Sequence, residues 1–172
     1  GAITQLNNLI RNPGLKAALC GKNNILDFDK ALERGKVLTA CSRKGELGII
    51  ASKAFGMFFI LQFQDAVLRR PGNENSRIPH FCYIDEFPDY ICSQTEAIFT
   101  MYRKYRVGTV ISAQSLDQLN VENKKYRNTI IANCVHKIVF GHNTPEDNEW
   151  WSKEIGEEKK WRMKQNYDLG KD

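Results

Sequence analysis

Very little in this sequence points to metal or disulfide chemistry. Its 172 residues include three histidines and five cysteines. His80, His136 and His142 have no ligand spacing with one another, and Cys20, Cys41, Cys82, Cys92 and Cys134 contain no C-x-x-C pair. These absences argue against a zinc site or a disulfide framework, and for buried free thiols in a reducing cytosol. No signal-peptide pattern opens the chain. A clean membrane span is missing too. Ile49 to Leu68 has nearly the length, but Ser52, Lys53, Gln62, Gln64 and Asp65 interrupt it, and a lysine and an aspartate are expensive in lipid. It reads as a buried core helix. Internal repeats are absent. The net charge of +5 permits contact with nucleic acid without demanding it. Length and an apolar content of 42% suit one domain with a real core.

A phosphate-cradling loop is also lacking. Gly21-Lys22-Asn23 invites comparison with G-x-x-x-x-G-K-[ST], but Lys16 stands where the first glycine belongs and Asn23 where the hydroxyl belongs. Lys22 is a surface loop residue.

What is present alternates strand and helix, which gives an α/β fold with a mainly parallel sheet. Thr4 to Leu19 is expected as two short helices around Asn12-Pro13-Gly14. Ile25 to Arg34 leads into a short helix capped by Asp27 or Asp29, with Gly35 ending it. Val37 to Cys41 reads as a strand, followed by the loop Ser42-Arg43-Lys44-Gly45, and Glu46 to Arg70 as the long helix. Pro71 to Pro79 is a polar loop and the expected place for poor order. Ser93 to Arg103 and Val121 to Asn133 read as helices, and Val107–Ser112 and Val135–Phe140 as strands. Thr144-Pro145-Glu146-Asp147 is a strong helix start, with a hydroxyl cap, proline at the first position and acids in the first turn. That helix stops near Gly156, and Glu157 to Asp172 is charged with little periodicity.

The chain is organised around Pro79 to Tyr90, P-H-F-C-Y-I-D-E-F-P-D-Y. Phe81 to Ile84 looks like a strand buried on both faces. It ends in Asp85 and Glu86, and Pro88 stops it. Adjacent acids there need a compensating cation. A hydrated Mg²⁺ carrying a nucleotide phosphate is the usual one: Asp85 would hold the metal through its waters, and Glu86 would polarise the attacking water. That is a Walker B strand in its hydrolytic form. The plainer alternative is a strand running into a solvated acidic turn. The second strand, V-G-T-V-I-S, delivers Ala113, Gln114 and Ser115 to the same sheet edge, where open α/β sheets bind ligands.

Y-I-D-E-F-P-D-Y, then R-K-Y-R-V-G, then I-S-A-Q-S-L-D-Q-L together resemble the TraG/TraD family of type IV secretion coupling proteins. The resemblance runs from about Ile25 to Gly156. It implies a hexameric RecA-like P-loop ATPase that uses ATP and Mg²⁺ to feed DNA and attached protein, such as a relaxase, into a conjugation or secretion channel. It further implies a position at the cytoplasmic face of the bacterial inner membrane. Gln114 corresponds to a sensor glutamine able to touch both γ-phosphate and water, though a polar start to the following turn is the alternative. Arg103, or in its place Arg106, corresponds to an arginine finger reaching a neighbouring subunit, a role that suits a guanidinium; a solvated helix end shared with Lys104 is the alternative. Since the phosphate loop is missing, the core is expected to be incomplete. Residues 1–24 would be the tail of an inserted helical domain, 25–156 the Walker B half, and 157–172 a charged linker or tail.

A competing expectation is a non-catalytic docking module or a degenerate ATPase relative. Trp150 and Trp151 read as a packing seam, and Lys124, Lys125 and Arg127 as a solvated helix face before a DNA contact. In RecA-like sheets the phosphate-loop strand lies between Val107–Ser112 and Val135–Phe140. Its absence predicts that these two strands pair directly or that the chain self-associates.

Overall fold

The computed structural model describes residues 4, 7, 9–23, 25–120 and 124–156. The chain divides into two compact units, Gly1–Ile138 and Val139–Asp172. Residues 121–123 at the start of the expected Val121–Asn133 helix, and the expected tail 157–172, lie outside the described residues.

In the first unit, α1 (Pro13–Cys20) begins where the Asn12 side chain accepts from the Leu15 N–H at 3.0 Å, with proline in the first turn. The Asn12 amide also donates to the Leu47 carbonyl, 35 residues away. The helix α2 (Phe28–Glu33) is capped by Asp27, which accepts from the Lys30 N–H, and ends at Gly35 in a left-handed conformation (φ +60°). The expected long helix breaks at Gly48, whose φ of +79° separates α3 (Lys44–Leu47) from α4 (Ile49–Arg69). A residue without a Cβ carries that conformation at no steric cost. Among the described residues no helix is long and apolar enough to cross a membrane.

The sheet is parallel, as the alternation of elements implied, and small. Only β1 (His80–Ile84) and β2 (Val107–Ile111) pair among the described residues, in the register His80↔Val107 to Ile84↔Ile111. The segment joining them passes through 3₁₀ turns at Phe87–Tyr90, Ser93–Thr95 and Tyr102–Tyr105 and a short helix, α5 (Glu96–Thr100), where one continuous helix was expected. Two expected strands do not form. Residues 37–41 form no regular element, with Val37 89% exposed, and 135–140 are irregular with Val135, Ile138 and Phe140 at least 80% exposed. The expected direct pairing of Val107–Ser112 with Val135–Phe140 is therefore absent. Apolar, β-branched composition makes a segment ready for a sheet, but only a partner edge turns it into a strand.

Packing places α4 against the sheet and its connections. Phe63 meets Tyr102 and His80, with ring centroids 6.2 and 5.8 Å away, and Phe87 meets Phe99 at 5.4 Å. Burial, and then the charge of Arg70, lowers the pKa of His80. A Cβ on Gly56 would stand 2.2 Å from the Tyr90 ring, so glycine lets the turn after β1 lie directly on α4. The helix α6 (Lys124–Asn133) buries Tyr126 and Ile130, and Thr95 shares a 2.7 Å hydrogen bond with the Tyr126 hydroxyl.

The loop of residues 71–79 is tied down rather than loose. Arg70, only 7% exposed, donates to the carbonyls of Tyr105, Ile78 and Leu32. Arg77 donates to those of Pro71, Arg70, Gly72 and Lys104 and lies over the Tyr105 ring. Arg106, at φ +58°, reaches the carbonyls of Arg77, Glu74 and Asn75. The cysteines are all free, as expected, but none is fully buried, and Cys20 and Cys41 are exposed. Burial pushes the Cys82 thiol up to about 11.

In the second unit, α7 (Pro145–Ile155) starts as its sequence foretold, with Thr144 accepting from the Asp147 N–H at 3.2 Å. Gly156 (φ +81°) ends it. Trp150 and Trp151 meet edge to face at 4.7 Å.

Candidate functional site

A short strand with a helical turn behind it puts two carboxylates at one end of the sheet. After Ile84 the chain turns sharply, because Glu86 sits in the left-handed region (φ 48°, ψ 44°) and Phe87-Pro88 begins a 3₁₀ turn. A glutamate there is strained by about 1–3 kcal/mol, a cost met mostly where function needs it. The neighbouring strand holds the turn in place. Ser112 donates its N–H to the Ile84 carbonyl and accepts from the Phe87 N–H, both at 3.1 Å. Its hydroxyl donates to Asp85 Oδ1, and the Glu86 N–H is shared between that hydroxyl and Asp85 Oδ1, each at 3.0 Å. Asp85 Oδ1 is thereby fixed, while Oδ2 has no partner among the described residues.

A third element closes on this edge from the other side. Residues 42–44 dock through Ser42, whose hydroxyl meets the Tyr90 hydroxyl at 3.0 Å and whose carbonyl accepts from Ser52 Oγ at 2.6 Å. Lys44 then places its ammonium between two acids. It donates to Glu86 Oε2 and lies 2.7 Å from Asp89 Oδ2, the latter a charge contact without good hydrogen-bond alignment. Lys53 of α4 reaches the other oxygen of Asp89 at 2.8 Å. Asp89, and then Glu86, holds the Lys44 pKa well above the ordinary lysine value. Lys44, and then Lys53, holds Asp89 below its ordinary 3.8. Beside this cluster a cavity of about 950 Å³ is bounded by residues 35–44 on one side and 79–86 on the other, with Phe55, Phe59 and Phe63 also lining it.

The structure therefore joins Asp85 and Glu86 at one site. Gln114 follows β2 at the same edge, exposed, with its N–H donated to Gln118 Oε1 at 2.9 Å and no contact to either acid among the described residues. Arg103 is exposed and lies before the start of β2, at the other end of the sheet. A five-residue strand separates it from Asp85 by roughly 16 Å at about 3.3 Å per residue. Its guanidinium makes no hydrogen bond or ion pair among the described residues, whereas that of Arg106 is taken up by the loop.

Sequence reasoning missed Ser112, Lys44 and Asp89. Ser112 had a legible signal, since it stands one residue past the end of β2 and opposite Asp85 in register. Lys44 had only its place in a loop expected at this edge.

No group of three or more His, Cys, Asp or Glu side chains able to hold a metal is present among the described residues. What the edge offers is a pair of carboxylates and a hydroxyl, hard oxygen ligands suited to a Mg²⁺ that keeps most of its waters.

A family model described as the TraM recognition site of TraD and TraG matches residues 79–171, just over half the chain, beginning immediately before β1. No curated protein and no solved structure gives a match.

Proposed function

The chain belongs to the TraG/TraD family of coupling proteins, and we propose that its carboxylate edge is the Walker B half of an ATP-hydrolysing site on a RecA-like core. The observation that carries this is the Asp85–Glu86 pair itself: one carboxylate oriented by Ser112 with an oxygen left over, the other held in a strained backbone at the end of a parallel strand. Asp85 would hold Mg²⁺ through its waters. Glu86 would orient a water and accept its proton as the water attacks. The bound metal would supply charge neutralisation on the phosphates. Gln114, at the end of the neighbouring strand, would sense whether the γ-phosphate is still attached. Arg103 stands too far along the sheet for its own Asp85, so it would serve the site of an adjacent subunit in a homo-hexamer.

The donor set fits the metal side of the site alone. The phosphate side needs amides, a lysine and a hydroxyl that the absent G-x-x-x-x-G-K-[ST] would provide, and another part of the coupling protein would supply them. In that setting the motor would move DNA with its attached relaxase into a secretion channel at the inner membrane. Residues 79–171 would also meet a TraM-type protein, as the description of the matching family suggests. That description favours a second reading as well, a docking module without turnover.

Mixed assemblies of the complete coupling protein separate the two. Arg103→Ala and Glu86→Gln subunits, each inactive alone, should regain part of the ATPase rate when mixed, because each defect lies in a different half of a shared site. No recovery, with normal TraM-type binding by both variants, would favour the docking module.

A further inference from the structure

The contact between Lys44 and Glu86 is separable from everything that holds the loop in place. Ser42 docks the loop through Tyr90 and Ser52, and Lys53 holds Asp89 against α4 without help from Lys44. Glu86, by contrast, has Lys44 as its one cation among the described residues. The two side chains are 41% and 50% exposed, and a half-exposed ion pair is weak enough to exchange partners readily.

A carboxylate whose oxygen is taken up by an ammonium is a poorer acceptor for a water proton. We propose that Lys44 is a positioning residue: it parks the Glu86 carboxylate in an ion pair and must release it before Glu86 can orient and deprotonate water. This rests on the hydrolytic reading of Glu86. The group that draws Lys44 away is a phosphoryl oxyanion, since the ammonium lies at the same end of the cavity as Asp85 and Glu86. Asp89 keeps Lys44 at the edge during the exchange. The ion pair thereby ties removal of the restraint to arrival of phosphate.

The test begins with amide hydrogen exchange on the chain itself, without nucleotide. The N–H groups of Leu47 and Gly48, bonded to the carbonyls of Arg43 and Lys44, report on α3. Lys44→Met and Glu86→Gln should each speed exchange there by about two- to fivefold, the range an exposed ion pair can supply. The double variant should go no further, and Lys44→Arg should restore protection. Additive effects, or none, overturn the pairing. In the complete coupling protein, Lys44→Met should raise KM for Mg-ATP by about the same factor, through the lost phosphate contact, and leave kcat at or above the parent value, because Glu86 is then free from the outset. A lowered kcat would overturn the restraint and make Lys44 a productive partner. Normal turnover by Glu86→Gln would instead sink the hydrolytic reading, and the exchange data would still decide whether the pair exists.

Discussion

The two ends of the β1–β2 sheet each carry a charged cluster and a non-glycine residue in the left-handed region, and they use them in opposite ways. At the N-terminal end, Arg70, Arg77 and Arg106 donate to backbone carbonyls alone among the described residues. Those acceptors cannot leave, because they are the chain itself. At the C-terminal end, Glu86 and Asp89 face Lys44 and Lys53 through side-chain contacts that are partly exposed and exchangeable. Cations on main-chain oxygens build a scaffold. Acids with replaceable cations leave charge available for something else.

Substitutions at the two ends should differ in the same way. The largest effect belongs to Arg70→Met, which strands three carbonyls around a buried site. A loss on the order of 3 kcal/mol is expected in urea unfolding, and a change below about 0.5 kcal/mol would mean that water replaces the guanidinium freely. Next is Gly56→Ala, whose methyl would strike the Tyr90 ring. Overpacking of about 2 kcal/mol set against roughly 1 kcal/mol of gained helix propensity leaves a net loss near 1 kcal/mol. An unchanged urea midpoint would show that Tyr90 yields easily.

Arg106→Asn and Glu86→Asn make the sharpest pair, since asparagine tolerates the left-handed backbone at both positions. Arg106→Asn should cost about 1 kcal/mol through its lost carbonyl contacts. Glu86→Asn should stay within about 0.5 kcal/mol of the parent. Equal losses would erase the distinction between scaffold and site. The smallest effect concerns pH. Asp89 has a depressed pKa in the fold, so its contribution is present above the ordinary value of 3.8 and is lost as pH falls below it. The thermal midpoint of the parent chain should therefore fall more steeply below that pH than that of Asp89→Asn. Parallel curves would mean that Lys44 and Lys53 give Asp89 nothing.

How much of this was legible in the sequence depended on the range of the interaction. Local signals read true: Asp27 and Thr144-Pro145 cap as written, because a cap needs only its own next few residues. The run Phe81 to Ile84 and its partner Val107 to Ile111 also form, each offering the other an edge. Residues 37–41 and 135–140 carry similar composition and no ladder, because a strand's hydrogen bonds lie on another segment that composition cannot supply. The helix break at Gly48 escaped notice since the surrounding apolar run continues across it. Asp85 and Glu86 could be found from their place after an apolar strand, although that strand exposes Phe81 and Tyr83 on one face where burial on both was expected. Lys44, forty-two residues from Glu86, could not, because only the fold brings them together.

Hydrolysis at this edge depends first on Glu86. In the complete coupling protein, Glu86→Gln should bind Mg-ATP with near-parent affinity while single-turnover hydrolysis falls by about 10²–10⁴, the range for removing a positioned general base. Hydrolysis at the parent rate, with nucleotide bound as before, would contradict it and leave the acidic edge a structural turn.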